Sequence, residues 1–401
     1  MSAPSSSQVS NPLSFLKNKD IVIISISDWE GPKRIRQFLS EELARQGNRV
    51  LFVESQYTLS KFLQKPSLAK LFRFLKGPRR VAENLYLLST IPFFPGGEFS
   101  PGVSRSNWNV ERSFLRQAMK KLGFHNPILW MFAYNASPLI GKMGESLSLY
   151  FCNDAFSLLV DSPVLQGRIT SLEREMVERV NINITVSEKL SEEKSRFRTP
   201  VHTVRHGVDY PLFQQSGRSR PTDLPSGKPI IGYSGVIRYM IDLDLILQIA
   251  EQKPEWDIVM VGPVTESRSE FYQQISALKK RSNVYFVGSK PAGELPAYIN
   301  AMDVCLLPYV RGEISSYYAA PLKFYEYLAA GKCVVSTIGP TEYDSDVVIN
   351  AHSTADVLHA IEEALARNTG ELIQKRKEIA RQNSWTERIR QIDSILAAAT
   401  K

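Results

Sequence analysis

The residues best suited to chemistry gather in one short segment, Ala319-Ala320-Pro321-Leu322-Lys323-Phe324-Tyr325-Glu326-Tyr327-Leu328-Ala329-Ala330-Gly331. Pro321 fits the first position of a helix, where a missing N–H costs nothing, and Gly331 fits its stop. Small residues ahead of the helix leave room for a ligand to reach its unpaired N–H groups, which attract phosphate. Lys323 adds a point charge in the first turn. Glu326, three residues on, shares that face, and its carboxylate can accept hydrogen bonds from ribose hydroxyls. The plain alternative is a Lys–Glu pair on a helix surface.

Three further carboxylates could take a proton from a reacting hydroxyl. Asp154 follows the apolar run Leu147 to Phe151, and Asp28 and Glu30 follow the run Ile21 to Ile26. An Asp in such a place can equally cap the next helix. Asp242 and Asp244 stand two apart, as metal-binding acids often do, but at a helix start they read as a cap and a favourable dipole partner. No metal is expected. The five histidines have no metal-ligand spacing with a cysteine or with one another. Cys152, Cys305 and Cys333 sit in apolar runs, as reduced and buried thiols do in a cytosol.

The elements that must position these groups come in two sets with the same grammar. The first runs from the strand Ile21–Ile26 through a loop and a helix ending near Arg45, with Gly47 as its stop, to the strand Val50–Val53. The second runs from Pro229–Gly235 through a helix at Leu243–Ile249 to the strand Trp256–Val261. Strands are predicted again at residues 284–287, 304–307 and 333–337, and helices at 354–367 and 385–398. Near-continuous apolar strands alternating with helices indicate parallel sheets covered on both faces. The repetition predicts two Rossmann-like domains, residues 1–211 and 229–384, joined by the Gln-, Ser-, Gly- and Pro-containing linker 212–228. In such sheets, ligands bind beyond the carboxyl ends of the strands.

Composition narrows the partners. The chain of 401 residues is 43% hydrophobic and 22% charged, ordinary for a folded protein. No run approaches the roughly 20 apolar residues that span a bilayer, and Met1 to Gln8 shows no secretion signal, so a cytoplasmic protein is expected. Through Arg205 there are 28 Lys and Arg against 18 Asp and Glu; the remainder has 21 against 23. A basic first half points to an anionic partner. Nucleic acid is disfavoured, because no recognised binding motif is present. Residues 61–80 contain no acid. Between Pro66 and Gly77, Leu68, Leu71, Phe72 and Leu75 form one helical stripe, with Lys70 and Arg73 opposite and Lys76 at its edge. That pattern suits a helix lying on an anionic membrane surface, or one packed on its own core.

The segment Pro321 to Gly331, followed by the strand Val334-Val335, resembles the donor-binding helix of bacterial GT-B glycosyltransferases, family 4 and its relatives. The similarity extends to Ile26-Ser27-Asp28-Trp29 with Arg34 and Gln37, to Tyr150 through Ser157, to Val186 through Leu190, to His206-Gly207-Val208-Asp209, and to Ser384 through Arg388. The resemblance implies a GT-B fold of two facing Rossmann-like domains, with the terminal helix, residues 385–401, crossing back onto the first. It implies a nucleotide-sugar donor, UDP-linked, and no cofactor beyond it. Pro321, Leu322, Lys323 and Glu326 would hold that donor. Gly232, Ser234 and Gly235 would leave room for a phosphate in a strand-to-helix turn, or simply make the turn tight. Arg238 would reach the diphosphate. Val287 and Gly288 would clamp the base, and Tyr309 would lie against the nucleotide. Asp154 matches the general base of the related xanthan glucuronosyltransferase family, with Asp28 and Glu30 as the next candidates.

The expected reaction is sugar transfer to a glycan or a polyprenyl-diphosphate-linked acceptor in surface polysaccharide synthesis, on the cytoplasmic face of the membrane. Two departures stand out. Retaining family 4 members carry a second Glu where this chain has Tyr318, with Glu313 only nearby, and the loop near Asn135 lacks the usual acceptor-side histidine. Both favour inversion with Asp154 as base. A sugar-nucleotide epimerase of the same fold and a non-catalytic sugar-nucleotide-binding partner are the rival readings.

Overall fold

The apolar runs become strands buried almost end to end, because helices cover both faces of each sheet. The structure, a computed structural model, describes residues 14–30, 33–55, 57–58, 68–90, 92–94, 100–215, 219–266, 268–312, 322–339 and 342–400.

In the first half the strands are β1 (Asp20–Ile24), β2 (Arg49–Val53), β3 (Tyr57–Thr58), β4 (Arg79–Ala82), β5 (Leu85–Leu88), β6 (Pro92–Phe93), β7 (Ile128–Met131), β8 (Leu147–Cys152), β9 (Ile182–Thr185) and β10 (Val201–Thr203). Eight of them form one sheet in the order β10-β9-β8-β7-β1-β2-β5-β4, while β3 and β6 pair separately. Only β4 runs antiparallel to its neighbour. The helices are α1 (Ile35–Arg45), α2 (Leu68–Lys76), α3 (Pro101–Leu122), α4 (Pro163–Arg179) and α5 (Glu188–Ser195). Chain order reverses between β1 and β7, which opens a crevice at their carboxyl ends.

After the short α6 (Tyr210–Gln214), the second half contributes β11 (Ile230–Ser234), α7 (Leu243–Gln252), β12 (Asp257–Val261), α8 (Ser269–Lys279), β13 (Val284–Gly288), α9 (Leu295–Ala301), β14 (Val304–Leu307), α10 (Leu322–Ala329), β15 (Cys333–Ser336), β16 (Val348–Asn350), α11 (Thr354–Ala366) and α12 (Gly370–Gln382). Its six strands are all parallel, in the order β13-β12-β11-β14-β15-β16, and the reversal falls between β11 and β14. Each sheet has its own apolar core.

The last helix, α13 (Trp385–Ala399), belongs by packing to the first core, to which it contributes Trp385, Ile389, Ile392 and Leu396. Trp385 stacks on Phe38 of α1 with ring centroids 5.5 Å apart. Asp393 accepts hydrogen bonds from the backbone N–H groups of Ser14, Phe15 and Leu16, tying this helix to the chain ahead of β1. The chain therefore crosses between the cores twice, side by side: Trp385 N–H donates to the Val208 carbonyl at 3.1 Å. Gly207 is required there, since a Cβ would meet the Trp385 ring at 2.7 Å. An Arg205–Glu342 ion pair also joins the two halves.

Helix α2 lies on the carboxyl-end side of the first sheet, before β4. Phe74 anchors it, edge-on to Phe114 of α3 at 4.8 Å. Phe72 and Leu75 of the predicted stripe are 60% and 69% exposed, so these two are not core residues. The side chains of Leu68, Lys70 and Leu71 lie outside the described residues, as do residues 61–67. No helix among the described residues is long and apolar enough to cross a membrane.

Candidate active site

On the second domain the site is built around α10. Its buried residues, Phe324, Tyr325, Tyr327 and Leu328, fix the helix on the sheet and leave Lys323 and Glu326 facing away from the core. Tyr327 sets the register: its hydroxyl accepts the Ser234 N–H at 2.8 Å, joining the helix to the end of β11. Lys323 does not pair with Glu326. Its ammonium donates to the hydroxyls of Tyr233 at 2.7 Å and Tyr309 at 3.0 Å, and sits 4.5 Å from the Tyr233 ring centre. Burial alone would favour the neutral amine, but the two tyrosines outweigh it and keep Lys323 protonated. Burial pushes the Tyr233 phenol up to about 12.

Gly235 explains itself here. Its φ is +150°, and a Cβ would stand 2.6 Å from the Lys323 Nζ and 2.9 Å from the Tyr233 hydroxyl. Glycine keeps open the space in front of the lysine. Glu326 has no hydrogen-bond donor among the described residues, and burial pushes its carboxyl up to about 7, with Lys323 pulling down and Asp209 adding to the rise. A half-buried carboxyl beside a fixed ammonium, with its own acceptor capacity unused, suits a ligand that brings hydroxyls and phosphate together.

The first domain supplies the other wall. Asp154 lies just past β8, and its Oδ1 accepts the Ala155 N–H at 3.0 Å. Burial raises its pKa; the Ala155 N–H and the charges of Arg238, Arg34 and Arg36 pull the other way. The field of Arg238 reaching Asp154 matters, because these two residues belong to different domains. The structure thus brings Asp154 of the first domain and Arg238 of the second close enough for one charge to act on the other.

Other expected residues fare differently. Glu30 is exposed and bound to Arg73 at 2.7 Å, with Arg79 at 3.7 Å, so it ties the loop after β1 to α2 instead of facing the cleft as a free base. Asp28 accepts the Ser55 hydroxyl at 2.6 Å. The turn at the end of β11 offers a phosphate little backbone: Ser234 N–H is held by Tyr327, and Gly235 N–H donates to the Val261 carbonyl at 2.8 Å. Gly232 serves packing, since a Cβ there would overlap Met302. Gly288 ends the edge strand β13 with its carbonyl taken by the Gly262 N–H at 2.9 Å, while Val287 is half-buried beside it. Tyr309, expected to lie against the nucleotide or simply to pack, is buried and its hydroxyl accepts from Lys323. Asp242 is a cap, its Oδ1 accepting the Leu245 N–H at 2.8 Å. Pro321, Tyr318 and Glu313 lie outside the described residues.

Two residues of the site were missed from sequence. Tyr233 looked like one more strand residue, yet it is half of the lysine's cradle. Arg36 was not among the candidates, yet it is only 2% exposed. The available signal was an arginine with no acid three or four residues away on its helix.

Two facing Rossmann-like domains make up the GT-B fold, with Lys323 and Glu326 on the second. Comparison with known proteins agrees. Residues 217–391, the second domain and the start of α13, are similar to the family of glycosyl transferases group 1. A Bacillus subtilis protein, TuaH, proposed to be a teichuronic acid biosynthesis glycosyltransferase, is 26% identical over 370 residues, covering 80% of this chain and 91% of its own. Among solved structures, the E. coli trehalose-6-phosphate protein bound with UDP-2-fluoro glucose superposes with a TM-score of 0.64 at 12% identity, over 96% of this chain and 99% of its own. TarM of S. aureus, in complex with UDP, gives 0.59 at 11% identity over 94% and 99%. These structural likenesses carry the GT-B fold.

Proposed function

We propose that the protein transfers a sugar from a UDP-sugar to a hydroxyl of a surface glycan, on an acceptor that is a free glycan or one linked to a polyprenyl diphosphate. The observation that carries this reading is the placing of Lys323 and Glu326 on α10: a fixed ammonium next to the clearance at Gly235, and, three residues on, a carboxyl with no hydrogen-bond donor among the described residues. Lys323 and Arg238 would take the diphosphate, and Glu326 the ribose hydroxyls. The name of the B. subtilis relative supports a cell-surface glycan as product.

In this reading Asp154 accepts the proton of the acceptor hydroxyl as that oxygen attacks the anomeric carbon. The bond from that carbon to the diphosphate breaks, and the departing oxygen takes the electron pair. Lys323 and Arg238 stabilise the charge it acquires. Attack from the Asp154 side, opposite the leaving group, inverts the anomeric centre. A raised pKa makes Asp154 a stronger base once ionised. Membrane contact through residues 61–80 fits the same reading, because Phe72 and Leu75 are exposed while Phe74 holds the helix in place.

The test is a thermal-shift panel of UDP-, GDP-, ADP- and dTDP-sugars. A ligand at about 100 times its dissociation constant stabilises by about 2.7 kcal/mol. UDP-sugars should stabilise and the others should not; the reading fails if no nucleotide sugar shifts the melting point. Turnover of the donor without an acceptor would favour the epimerase.

A further inference from the structure

Arg36 occupies the second position of α1, above the reversal between β1 and β7. Its Nε donates to the Ser27 hydroxyl at 3.2 Å and its Nη1 to the Asn153 side-chain oxygen at 3.3 Å, and the Phe132 ring lies 5.8 Å away. Both acceptors are neutral. A guanidinium has five N–H groups, so three are left, and Nη2 has no partner among the described residues. Yet Nη2 is not among the sealed, unsatisfied atoms, so it keeps part of the residue's small opening to solvent. Burial pulls the Arg36 pKa down to about 10, Arg34 pulls the same way, and only Asp154 opposes them.

A buried cation normally comes with its counter-charge, because desolvation is otherwise uncompensated. Behind β8, buried Lys194 meets its counter-charge in buried Glu173 at 2.7 Å, while buried Arg376 spends its N–H groups on the Asp346 and Gly331 carbonyls and the Asn368 side-chain oxygen. Arg36 forms no such pair among the described residues. We propose that its counter-charge arrives with the substrate: Arg36 binds a carboxylate or phosphate carried by the acceptor glycan, beside the hydroxyl that Asp154 deprotonates. The acceptor is then an acidic sugar or a sugar phosphate. The donor has cations of its own on the facing domain, Lys323 and Arg238. Arg36 instead contacts Asn153, the residue next to Asp154, and so sits where the acceptor must lie. Its planar fork suits carboxylate and phosphate alike. This inference rests on the cleft reading above, and the test keeps the two apart.

The full-length protein is titrated calorimetrically with glucuronate, glucose 6-phosphate, glucose and UDP, as wild type and as Arg36→Gln, Arg36→Lys and Asp154→Asn. Melting curves confirm that each variant is folded. The wild type should bind glucuronate or glucose 6-phosphate more tightly than glucose. Arg36→Gln should weaken that acid by about ten- to a hundredfold, the effect of losing charged hydrogen bonds. Arg36→Lys, should Arg36→Gln not fold, keeps the charge but not the fork and should lose part of the affinity. UDP affinity should not change. Asp154→Asn removes a neighbouring negative charge and should bind the acids at least as well, so failure of Asp154 as a base leaves this result standing. The proposal is overturned if the wild type does not distinguish either acid from glucose, or if the Arg36 variants bind both as the wild type does. A loss confined to UDP also overturns it, and assigns Arg36 to the donor diphosphate.

Discussion

On the second domain Lys323 is gripped by two tyrosine hydroxyls and faces a gap kept clear by Gly235. On the first, Arg36 is buried with neutral partners only, and Asp154 is held by one backbone N–H while three arginines act on it from a distance. The lysine of one wall is fixed by its partners before any ligand arrives; the arginine of the other keeps N–H groups unspent. A cation held rigidly in place is suited to the constant part of a substrate, a nucleotide diphosphate. A wall with unspent hydrogen-bonding capacity leaves its specificity to be completed by whatever it receives.

The strongest way to break this division is Asp154→Asn. The change keeps size and most hydrogen bonding but removes the base, so transfer should fall by about 10²–10⁴-fold. Sugar-nucleotide affinity, set by the other wall, should stay within about twofold of wild type by the same logic of separable sites. If Asp154 were only a helix cap, Asn would replace it at little cost. Near-normal turnover would therefore end its candidacy and move the search to Asp28.

Lys323→Ala should give the converse. Calorimetry is expected to show nucleotide affinity weakened by about 1.5–3 kcal/mol, the worth of hydrogen bonds to a charged group. Tyr233 and Tyr309 lose a shared partner, so a small fall in melting temperature should accompany it. Wild-type affinity in this variant would dissolve the contrast between the two walls.

The rim of the first domain offers a milder test. Replacing Phe72 and Leu75 together by Ser should reduce binding to vesicles containing anionic lipid by about tenfold or more, since each apolar side chain is worth about 1.5–3 kcal/mol when fully buried. Because both are exposed, the melting temperature should hardly change. Lost stability with unchanged vesicle binding would assign the stripe to the protein's own packing.

The smallest effect concerns pH. Glu326 titrates near 7 in the folded protein against an ordinary value of 4.5. Its raised pKa means that the fold holds this proton more tightly than the unfolded chain does. The carboxyl's contribution to stability is therefore full below about pH 4.5 and declines as pH rises through 7. Ribose hydroxyls donate to the ionised form, so nucleotide affinity should move the opposite way, rising by up to about tenfold from pH 6 to 8. Glu326→Gln should flatten that profile. A profile unchanged by the substitution would separate Glu326 from the nucleotide.

The elements around the site were legible because their signals are local. Runs such as residues 304–307 and 333–337 are too short for helices and each holds a continuous apolar stretch, which marks a buried strand, and α10 announces its start and stop through its flanking residues. What was not legible depended on partners distant in sequence. Tyr233 and Lys323 are 90 residues apart, and nothing in either neighbourhood shows that they meet. Glu30 looked available until Arg73 was found across it. Arg36 and Gln37 are buried beside Ile35, Leu39 and Leu43 on α1, a burial that their polar side chains do not announce. Phe74, off the predicted stripe, turned out to anchor α2 and leave that stripe's Phe72 and Leu75 in solvent.

The return of α13 to the first core has a consequence for how the chain is made. Ile389, Ile392 and Leu396 complete a core whose other strands were laid down from residue 20 onward, and Asp393 secures the segment ahead of β1. A domain synthesised first normally folds first on the ribosome. Here the first sheet must wait, with part of its apolar surface uncovered, until the whole second domain has been translated and residues 385–399 have emerged. During synthesis, then, the order of maturation is reversed: the second domain can close its own core first, and the first domain is finished last.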